Sequence, residues 1–423
     1  MRPAMKTFHL LVLSALLSIA ATPQARSLEL LDRMVGFAEQ QLVVRARNPD
    51  DPPPFRVGLV LPQRGALQEA AERILTGWQI AVALSDGYVA ERPVELVAID
   101  SSASPEAAIL AARKAAKGAP IDVYAGVIGA RIADAMIAFS ERENRPLVLA
   151  GAIGEETLAE TCWPHVARTS FSIGPYASTS GRFIAGKYGT LVTMAPETEG
   201  SFRILRRFTD AYRAAGGRIV EQIWASAGTN YDWTALLARA SEQGPSLIYA
   251  FFEERNAERI VYRHSTTALK ESVALTGPEW LFGPRSLVRR ARHADGNRFL
   301  TSHLPTADEP ANRLFVEAYR AAAKQDPDIY AYMGYENALA VLLTAAGLKG
   351  GVEDGPSFVQ AMKATDYTGL MPRGTYAFNA VNSAVLTRLY WVEAVHDGDE
   401  TRLRELSTIP VDEDDATCGG RTG

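Results

Sequence analysis

The chain has 423 residues, 47% of them hydrophobic and 22% charged, with 44 basic and 49 acidic side chains. This composition, with a mean hydropathy of -0.06, argues against a collagen-like, broadly disordered or polytopic membrane protein and gives no electrostatic reason to expect a nucleic-acid partner. Two cysteines and six histidines leave little material for a metal-rich or disulfide-rich scaffold. We therefore expect a globular protein of roughly two or three domains.

The N-terminus predicts export. Arg2 and Lys6 precede the apolar run Leu10–Ala21, and small residues follow as far as Ala25. This is the order of a secretory signal peptide. An uncleaved anchor is the alternative, but the run is shorter than the about 20 residues of a membrane-spanning helix. We predict that residues 1–25 are a cleaved signal peptide and that the protein resides in the periplasm of a two-membrane bacterium.

Residues 26–54 are predicted to be a helical extension followed by a linker. Apolar residues recur among charged neighbours over residues 27–46 at a spacing close to that of an amphipathic helix. The acidic and proline-rich stretch Asn48–Pro54 then ends the pattern.

From Arg56 onward, short apolar runs alternate with longer helical patterns. The runs predicted as strands are Val57–Pro62, Val94–Ile99, Ile121–Ile128, Pro146–Ala150, Leu191–Ala195, Ile219–Trp224 and Leu247–Phe252. The segments predicted as helices are Leu67–Ser85, Pro105–Lys117, Ile132–Glu143, Phe202–Ala215, Trp233–Glu242 and Ala257–His264. Parallel strands need crossover connections, so this alternation predicts parallel sheets covered by helices.

The alternation divides into two series, which predicts two lobes. The first series ends near Arg168–Ser172, and a helix over Gly174–Lys187 begins the second. The chain then continues with predicted helices and a β-rich region at Asn312–Lys324, Tyr332–Ala346, Ser357–Ala364 and Gly374–Val395. The fold class predicted from the pattern is α/β, with Rossmann-like parallel-sheet lobes.

No enzymatic constellation is present in the sequence. It contains no HExxH, CxxC, GxxxxGK[ST] or GxSxG motif. The turn Gly126–Gly129 lacks the third glycine and the downstream acid of a dinucleotide fingerprint, so it is better explained as a turn at the carboxyl end of a strand. The histidines have no metal-ligand spacing. The sequence therefore predicts no catalytic residues, cofactor or metal.

Cys162 and Cys418 are the only cysteines. An oxidising compartment permits a disulfide between them. The sequence leaves open whether the two residues approach closely enough to pair.

Several segments, taken in order, resemble a known family. They are Arg56–Pro62, Gly65, Leu75–Gly77, Val94–Asp100, Tyr124–Gly129, Pro146–Ala152, Thr276–Glu279 and Tyr332–Leu343. Together they resemble the leucine/isoleucine/valine-binding type of periplasmic binding protein, the receptors of branched-chain amino-acid ABC importers. The resemblance extends from residue 55 to about residue 400.

The resemblance implies the type I periplasmic binding protein fold, in which two lobes are joined by a three-crossover hinge and close on a ligand in the cleft between them. Lobe 1 is expected at residues 55–170 plus 305–375. Lobe 2 is expected at residues 171–304 plus 376–410, and a polar tail at 411–423.

The resemblance also implies the site residues. A glutamate in a Gly-Pro-Glu turn holds the ligand's ammonium group in amino-acid binders of this type, and Glu279 occupies that position; a surface turn acid is the alternative interpretation. Hydroxyls and backbone N–H groups usually hold the ligand's carboxylate. Here Ala130, Gly151, Ala152 and Ile153 stand at those positions, so the backbone donors are expected without two of the hydroxyls.

Other positions depart further from the pattern. The tyrosines that commonly line the cleft fall on Ala70, Gly200 and Glu253. Arg131 and Glu253 are additional charges near the cleft mouth; Arg131 is either a carboxylate clamp or an exposed first-turn arginine. Beside Glu279, Trp280 and Phe282 are either an apolar wall or core.

The sequence therefore favours a monomeric periplasmic receptor that delivers an amino acid or a related small organic molecule to an inner-membrane ABC permease. The alternative is an accessory or sensory binding protein of an exported oxidation or signalling system, without high-affinity amino-acid binding. The additional segment Ser27–Val44 favours this alternative. A neighbouring permease gene would support the first function.

Overall fold

The computed structural model describes residues 52–65, 67–102, 104–151, 162–170, 173–226, 231–283, 287, 291–374, 376–379, 385–386, 388–398 and 400–411. The predicted signal peptide and helical extension, together with Ala152, Ile153 and Cys418, lie outside these residues. Within the described ranges, no helix is both long enough and apolar enough to cross a membrane.

The strands follow the predicted apolar runs and add several that the pattern did not indicate. In chain order they are β1 Phe55–Leu61, β2 Tyr88–Val89, β3 Arg92–Asp100, β4 Val123–Gly126, β5 Leu147–Leu149, β6 Val166–Arg168, β7 Thr190–Pro196, β8 Arg218–Ala225, β9 Leu247–Ala250, β10 Ala274–Thr276, β11 Arg298–Thr301, β12 Ala377–Phe378, β13 Val385–Leu386, β14 Arg388–Asp397 and β15 Glu400–Pro410.

Helices separate most of the strands. They are α1 Gln68–Leu84, α2 Pro105–Ala116, α3 Ala130–Arg142, α4 Ile173–Ala185, α5 Glu199–Ala214, α6 Trp233–Glu242, α7 Glu254–Ser265, α8 Ala291–Ala294, α9 Pro310–Ala323, α10 Ile329–Gly347 and α11 Gly355–Ala364. Two 3-10 turns cover Ala268–Glu271 and Glu279–Phe282.

The first compact unit contains the described residues of Met1–Gly151, Pro164–Thr169 and Ala307–Gly374. Its sheet has the order β2-β3-β1-β4-β5-β6. The pairings from β3 to β6 are parallel, and only the short β2 runs antiparallel to its neighbour. The central strands β4 and β5 are buried throughout, as expected for parallel strands with both faces covered.

The second unit contains the described residues of Ala152–Trp163, Ser170–Thr306 and Thr375–Gly423. It has a parallel sheet of order β10-β9-β7-β8 and a three-stranded antiparallel sheet of order β11-β14-β15. The α/β fold class with two parallel-sheet lobes is thus confirmed. Cys162 and Trp163 group with this unit, whereas the predicted boundary assigned them to lobe 1.

The long helix α10 is buried around nearly its whole circumference, and one of its faces packs closely on α1. A Cβ atom added to Gly77 of α1 would lie 2.5 Å from the carbonyl oxygen of Ala331, and one added to Gly334 of α10 would lie 2.1 Å from that of Ile74. The two glycines therefore permit a backbone approach that no larger residue allows.

Asn337 of α10 ties this helix to the carboxyl ends of the central strands. Its buried Oδ1 accepts from Trp78 Nε1 at 3.0 Å and from the Gly126 N–H at 3.3 Å. Its Nδ2 donates to the Val148 carbonyl at 3.1 Å and to the Thr169 hydroxyl at 2.9 Å. All four hydrogen-bonding positions of the amide are used, so the end of β4 is held in a fixed place.

Candidate functional site

The sequence-predicted site residues lie at the carboxyl-terminal edges of the two parallel sheets. Ala130, Arg131 and Gly151 follow β4 and β5 in the first unit. Glu253 and Glu279 follow β9 and β10, which are neighbours in the second sheet. Open α/β sheets bind ligands beyond the carboxyl ends of their strands, because helix N-termini point there. Each edge is therefore a candidate binding surface.

The turn after β4 has an unusual backbone. The φ angles of Gly126, Val127 and Gly129 are 85°, 62° and 100°. A β-branched residue in this region costs about 1–3 kcal/mol, and such residues cluster at functional sites. The Val127 N–H is held by the Val60 carbonyl at 2.9 Å. The turn ends at Gly129, the N-cap of α3, which provides no side-chain cap for the first N–H groups of that helix.

Ala130 and Arg131 are exposed residues in the first turn of α3. Hydrogen bonding by Ser104, aided by the more distant positive charge of Arg131, holds the pKa of Glu106 below its usual value. Arg131 thus lies within electrostatic reach of the N-terminus of α2. The exposed first-turn position agrees with one of the two interpretations of Arg131, and its role as a carboxylate clamp stays a prediction.

Gly151 lies against the turn after β4. Its N–H donates to the Val127 carbonyl at 3.2 Å. An added Cβ would approach Ile128 Cγ2 to 2.8 Å. The structure therefore brings Gly151 and the β4 turn together. A residue larger than glycine would disturb this contact. Its neighbour Ala152 lies outside the described residues.

Glu279 begins the 3-10 turn after β10 and is 2% exposed. Its Oε2 atom accepts from the Thr301 hydroxyl at 2.9 Å, the Ser302 N–H at 2.9 Å and His303 Nδ1 at 3.1 Å. The Ser302 hydroxyl lies 3.1 Å from both Oε1 and Oε2. The alternative interpretation of Glu279 as a surface acid is therefore wrong.

Burial alone would raise the pKa of Glu279, but hydrogen bonds from His303, Ser302 and Thr301 outweigh it and hold the pKa below the usual value. Burial, followed by the negative charge of Glu279, raises the pKa of Tyr176 well above its usual range. The phenol of Tyr176 accepts from the Glu279 N–H at 3.1 Å and donates to the Leu300 carbonyl at 2.8 Å. The site thus presents an ionised carboxylate on a fixed backbone.

The depressed pKa of Glu279 predicts a loss of stability in acid. The ionised side chain stabilises the folded state above the usual glutamate pKa of 4.5, and this contribution is lost as the pH falls through the lower folded-state pKa. We expect the free energy of unfolding of the wild-type chain to fall more steeply from about pH 5 to about pH 3 than that of Glu279→Gln. Urea unfolding at several pH values measures this; equal slopes would contradict it.

Glu253 is exposed and is the N-cap of α7, without a side-chain cap bond to that helix. The preceding Phe252 packs in an aromatic group with Tyr231 and Trp233, with ring centroids 5.0–5.6 Å apart. The Nε1 atom of Trp233 is buried and has no hydrogen-bond acceptor within the described part of the chain. Sequence reasoning missed Tyr231 and Trp233 as members of this edge.

The remaining sequence-predicted positions divide between core and surface. Ala70 is buried within α1, and Gly200 is exposed in the first turn of α5. Phe282 is buried and stacks on Phe299 at a centroid distance of 4.4 Å, which is a core contact. Trp280 packs against Tyr176 and Phe251.

Sequence reasoning also missed Thr301, Ser302 and His303. Their signal in the sequence was weak: three polar residues at the end of the short apolar strand β11. The structure brings them to Glu279, which lies 22 to 24 positions earlier in the chain.

Cys162 takes part in a disulfide. Cys418, the other cysteine of the sequence, lies outside the described residues, so the predicted pairing stays a prediction. Among the residues that the structure covers, no group of three or more His, Cys, Asp or Glu side chains is arranged to hold a metal ion.

Solved structures share this fold. A solute-binding protein of an ABC transporter from R. palustris, in complex with benzoate, has 23% identity and a TM-score of 0.76, with 87% of this chain and 99% of that chain covered. An ABC transporter substrate-binding protein from Sphaerobacter thermophilus has 23% identity and a TM-score of 0.77, with 85% and 98% covered. A leucine-binding protein from Thermotoga maritima has 17% identity and a TM-score of 0.70, with 84% and 98% covered.

Among curated proteins, no sequence matches this chain. A family model does match, over residues 54–399, and it describes periplasmic binding proteins. The match spans both sheets and most of the described residues. It also agrees with the prediction of a binding protein rather than an enzyme. The chain belongs to the periplasmic binding protein family.

Proposed function

We propose that the protein is a periplasmic solute-binding receptor of an ABC importer, with an amino acid or a related small organic molecule as its ligand. The observation that carries the proposal is the buried Glu279 carboxylate at the carboxyl-terminal edge of the second sheet. Its lowered pKa keeps it ionised at neutral pH. A desolvated carboxylate is a strong partner for an ammonium group.

The Oε1 atom of Glu279 is the proposed acceptor. Within the described residues, Oε1 accepts only from the Ser302 hydroxyl, and that single donor is shared with Oε2. A carboxylate oxygen has two lone pairs, so Oε1 retains capacity for one further N–H donor.

The carboxyl-terminal edge of the first unit, taken by itself, offers donors for an anionic group. The strained turn Gly126–Gly129 leads into the uncapped N-terminus of α3, whose N–H groups favour negative charge. In this proposal, the backbone around Ala130 and Gly151 replaces the two absent hydroxyls, and Arg131 contributes its guanidinium. Ala152 and Glu253 remain proposed site residues.

A second candidate ligand is an aromatic carboxylate. The specific observation is the aromatic group of Tyr231, Trp233 and Phe252, in which the indole N–H of Trp233 lacks an acceptor among the described residues. A ring bearing a polar substituent would fit such a surface. The benzoate complex of the R. palustris protein supports this class of ligand for the shared fold.

The transport role involves further proposals. We infer that residues 1–25 direct export, that the mature chain acts as a monomer in the periplasm, and that an inner-membrane ABC permease receives the ligand. The accessory or sensory alternative uses the same fold without high-affinity amino-acid binding.

A thermal-shift screen of the mature chain distinguishes these ligands. The panel contains L-leucine, L-phenylalanine, benzoate, 4-hydroxybenzoate and a polyamine. A ligand that binds only the folded state stabilises it by about 2.7 kcal/mol at a concentration 100 times its Kd. We expect amino acids to raise the Tm. A rise with the benzoates alone would favour the second candidate and remove the ammonium-binding role of Glu279.

A further inference from the structure

The segment Thr301–His303, at the carboxyl end of β11, contacts the Glu279 carboxylate almost entirely through one of its two oxygens. We propose that Thr301, Ser302 and His303 are positioning residues that saturate Oε2 of Glu279 and thereby leave Oε1 as the atom that accepts the ammonium group of the ligand. This inference rests on the proposed function, because it deepens the role of Glu279.

The asymmetry between the two oxygens is the first step. The Thr301 hydroxyl, the Ser302 N–H, the Ser302 hydroxyl and His303 Nδ1 all lie within 3.1 Å of Oε2. A carboxylate oxygen has two lone pairs, and the Ser302 N–H together with any one of the side-chain donors fills them. A further N–H donor therefore has no place at Oε2. Oε1, with one shared donor, is the remaining acceptor.

The backbone around Glu279 is fixed to the same strand. The phenol of Tyr176 bridges the Glu279 N–H and the Leu300 carbonyl, which immediately precedes Thr301. The position of the carboxylate is thus set by β11 through both its main chain and its side chain.

The arrangement also keeps the carboxylate charged. Donors to an ionised acceptor form stronger hydrogen bonds than donors to a neutral one. The segment compensates the desolvation of Glu279, which is why the side chain can be both buried and ionised. Removal of a donor is expected to raise the pKa of Glu279 and to let its carboxylate rotate. A ligand with an ammonium group should therefore lose more affinity than a ligand without an amine.

The test compares L-leucine with 4-methylpentanoate, which has the same carbon skeleton without the amine. Calorimetric titration gives the ratio of their dissociation constants. For the wild-type chain we expect leucine to bind about 10- to 100-fold more tightly. Glu279→Gln should abolish this ratio. Thr301→Val and Ser302→Ala should each reduce it about tenfold, and Thr301→Ser, which keeps the hydroxyl, should restore it.

Thr276→Val is the matched control. It removes a threonine hydroxyl that donates to the Arg298 carbonyl at the start of β11 and does not contact the Glu279 carboxylate. We expect it to lower stability and to leave the ratio unchanged. If Glu279→Gln abolishes the ratio while Thr301→Val and Ser302→Ala keep it within about twofold of wild type, the positioning role is wrong. If Glu279→Gln itself keeps the ratio, or the wild-type chain does not bind leucine, the ammonium-binding part of the proposed function fails.

A second measurement needs no ligand. Thr301→Val should show a smaller loss of stability between about pH 5 and about pH 3 than the wild-type chain, because the Thr301 hydroxyl helps to hold the pKa of Glu279 down. Thr276→Val should retain the full loss. A full wild-type loss in Thr301→Val would overturn the inference whether or not leucine binds.

Discussion

Replacement of Arg373 by methionine is expected to lower the free energy of unfolding by about 3–5 kcal/mol. Arg373 is 1% exposed and its partner Glu336 is fully buried within the first unit. The guanidinium Nε donates to Oε1 and Oε2 of Glu336 at 2.9 and 2.8 Å, and Nη2 contacts Glu336 and donates to the Thr169 carbonyl at 3.3 Å. The variant leaves a buried carboxylate without its cation.

The double variant Glu336→Leu/Arg373→Met is the informative control. Because it removes both charges, it should recover most of the lost stability.

Arg206→Met is the surface control. The side chains of Arg206 and Asp210 are 83% and 62% exposed, and Arg206 Nε lies 3.7 Å from Asp210 Oδ2. Because water screens this pair, little change in the free energy of unfolding is expected. Urea unfolding followed by circular dichroism measures all three. A double variant no more stable than Arg373→Met would show that the pair does not carry the effect.

Gly334→Ala is expected to destabilise the first unit by about 3 kcal/mol through overpacking. The new Cβ would lie 2.1 Å from the carbonyl oxygen and 2.6 Å from the Cα of Ile74, both of them backbone atoms of α1 that no rotamer change can move. Alanine favours the helix by about 1 kcal/mol over glycine, so the expected sign requires that packing outweigh local propensity.

Gly347→Ala at the end of the same helix is the matched control. Apart from its chain neighbours and its own helix backbone, no atom of the described residues lies within 4 Å of its added Cβ. The substitution should be neutral or stabilising by up to about 1 kcal/mol. Thermal and urea unfolding of the two variants give the comparison. Equal effects would mean that the α1–α10 contact is looser than described.

The elements that could be predicted are those with strong local periodicity. Helix α6 spans Trp233–Glu242, as the sequence predicted, and β9 was found at Leu247–Ala250 within the predicted run Leu247–Phe252. Both combine a clear apolar pattern with a defined end. The strands β11 and β15 were missed. β11 pairs with β14, which lies far along the chain. β15 forms a hairpin with β14, but several exposed charged residues hide its alternation.

The site could be predicted only in part, for a related reason. The resemblance placed Glu279 at a turn, but the donors that bury and ionise it come from residues 301–303, after another strand. The contact from Asn337 to Gly126, which fixes the β4 turn, joins residues 211 positions apart. No local pattern records such pairs, because each is created by the packing of separate elements.

The central claim is that this chain binds a small organic solute through its folded state. The thermal-shift screen of the mature chain tests it most directly, because specific binding stabilises only the folded form. We expect a saturable rise in Tm with at least one amino acid, and a smaller rise for Glu279→Gln. An unchanged Tm with every amino acid and aromatic acid of the panel, at about 100 times a micromolar Kd, would contradict it.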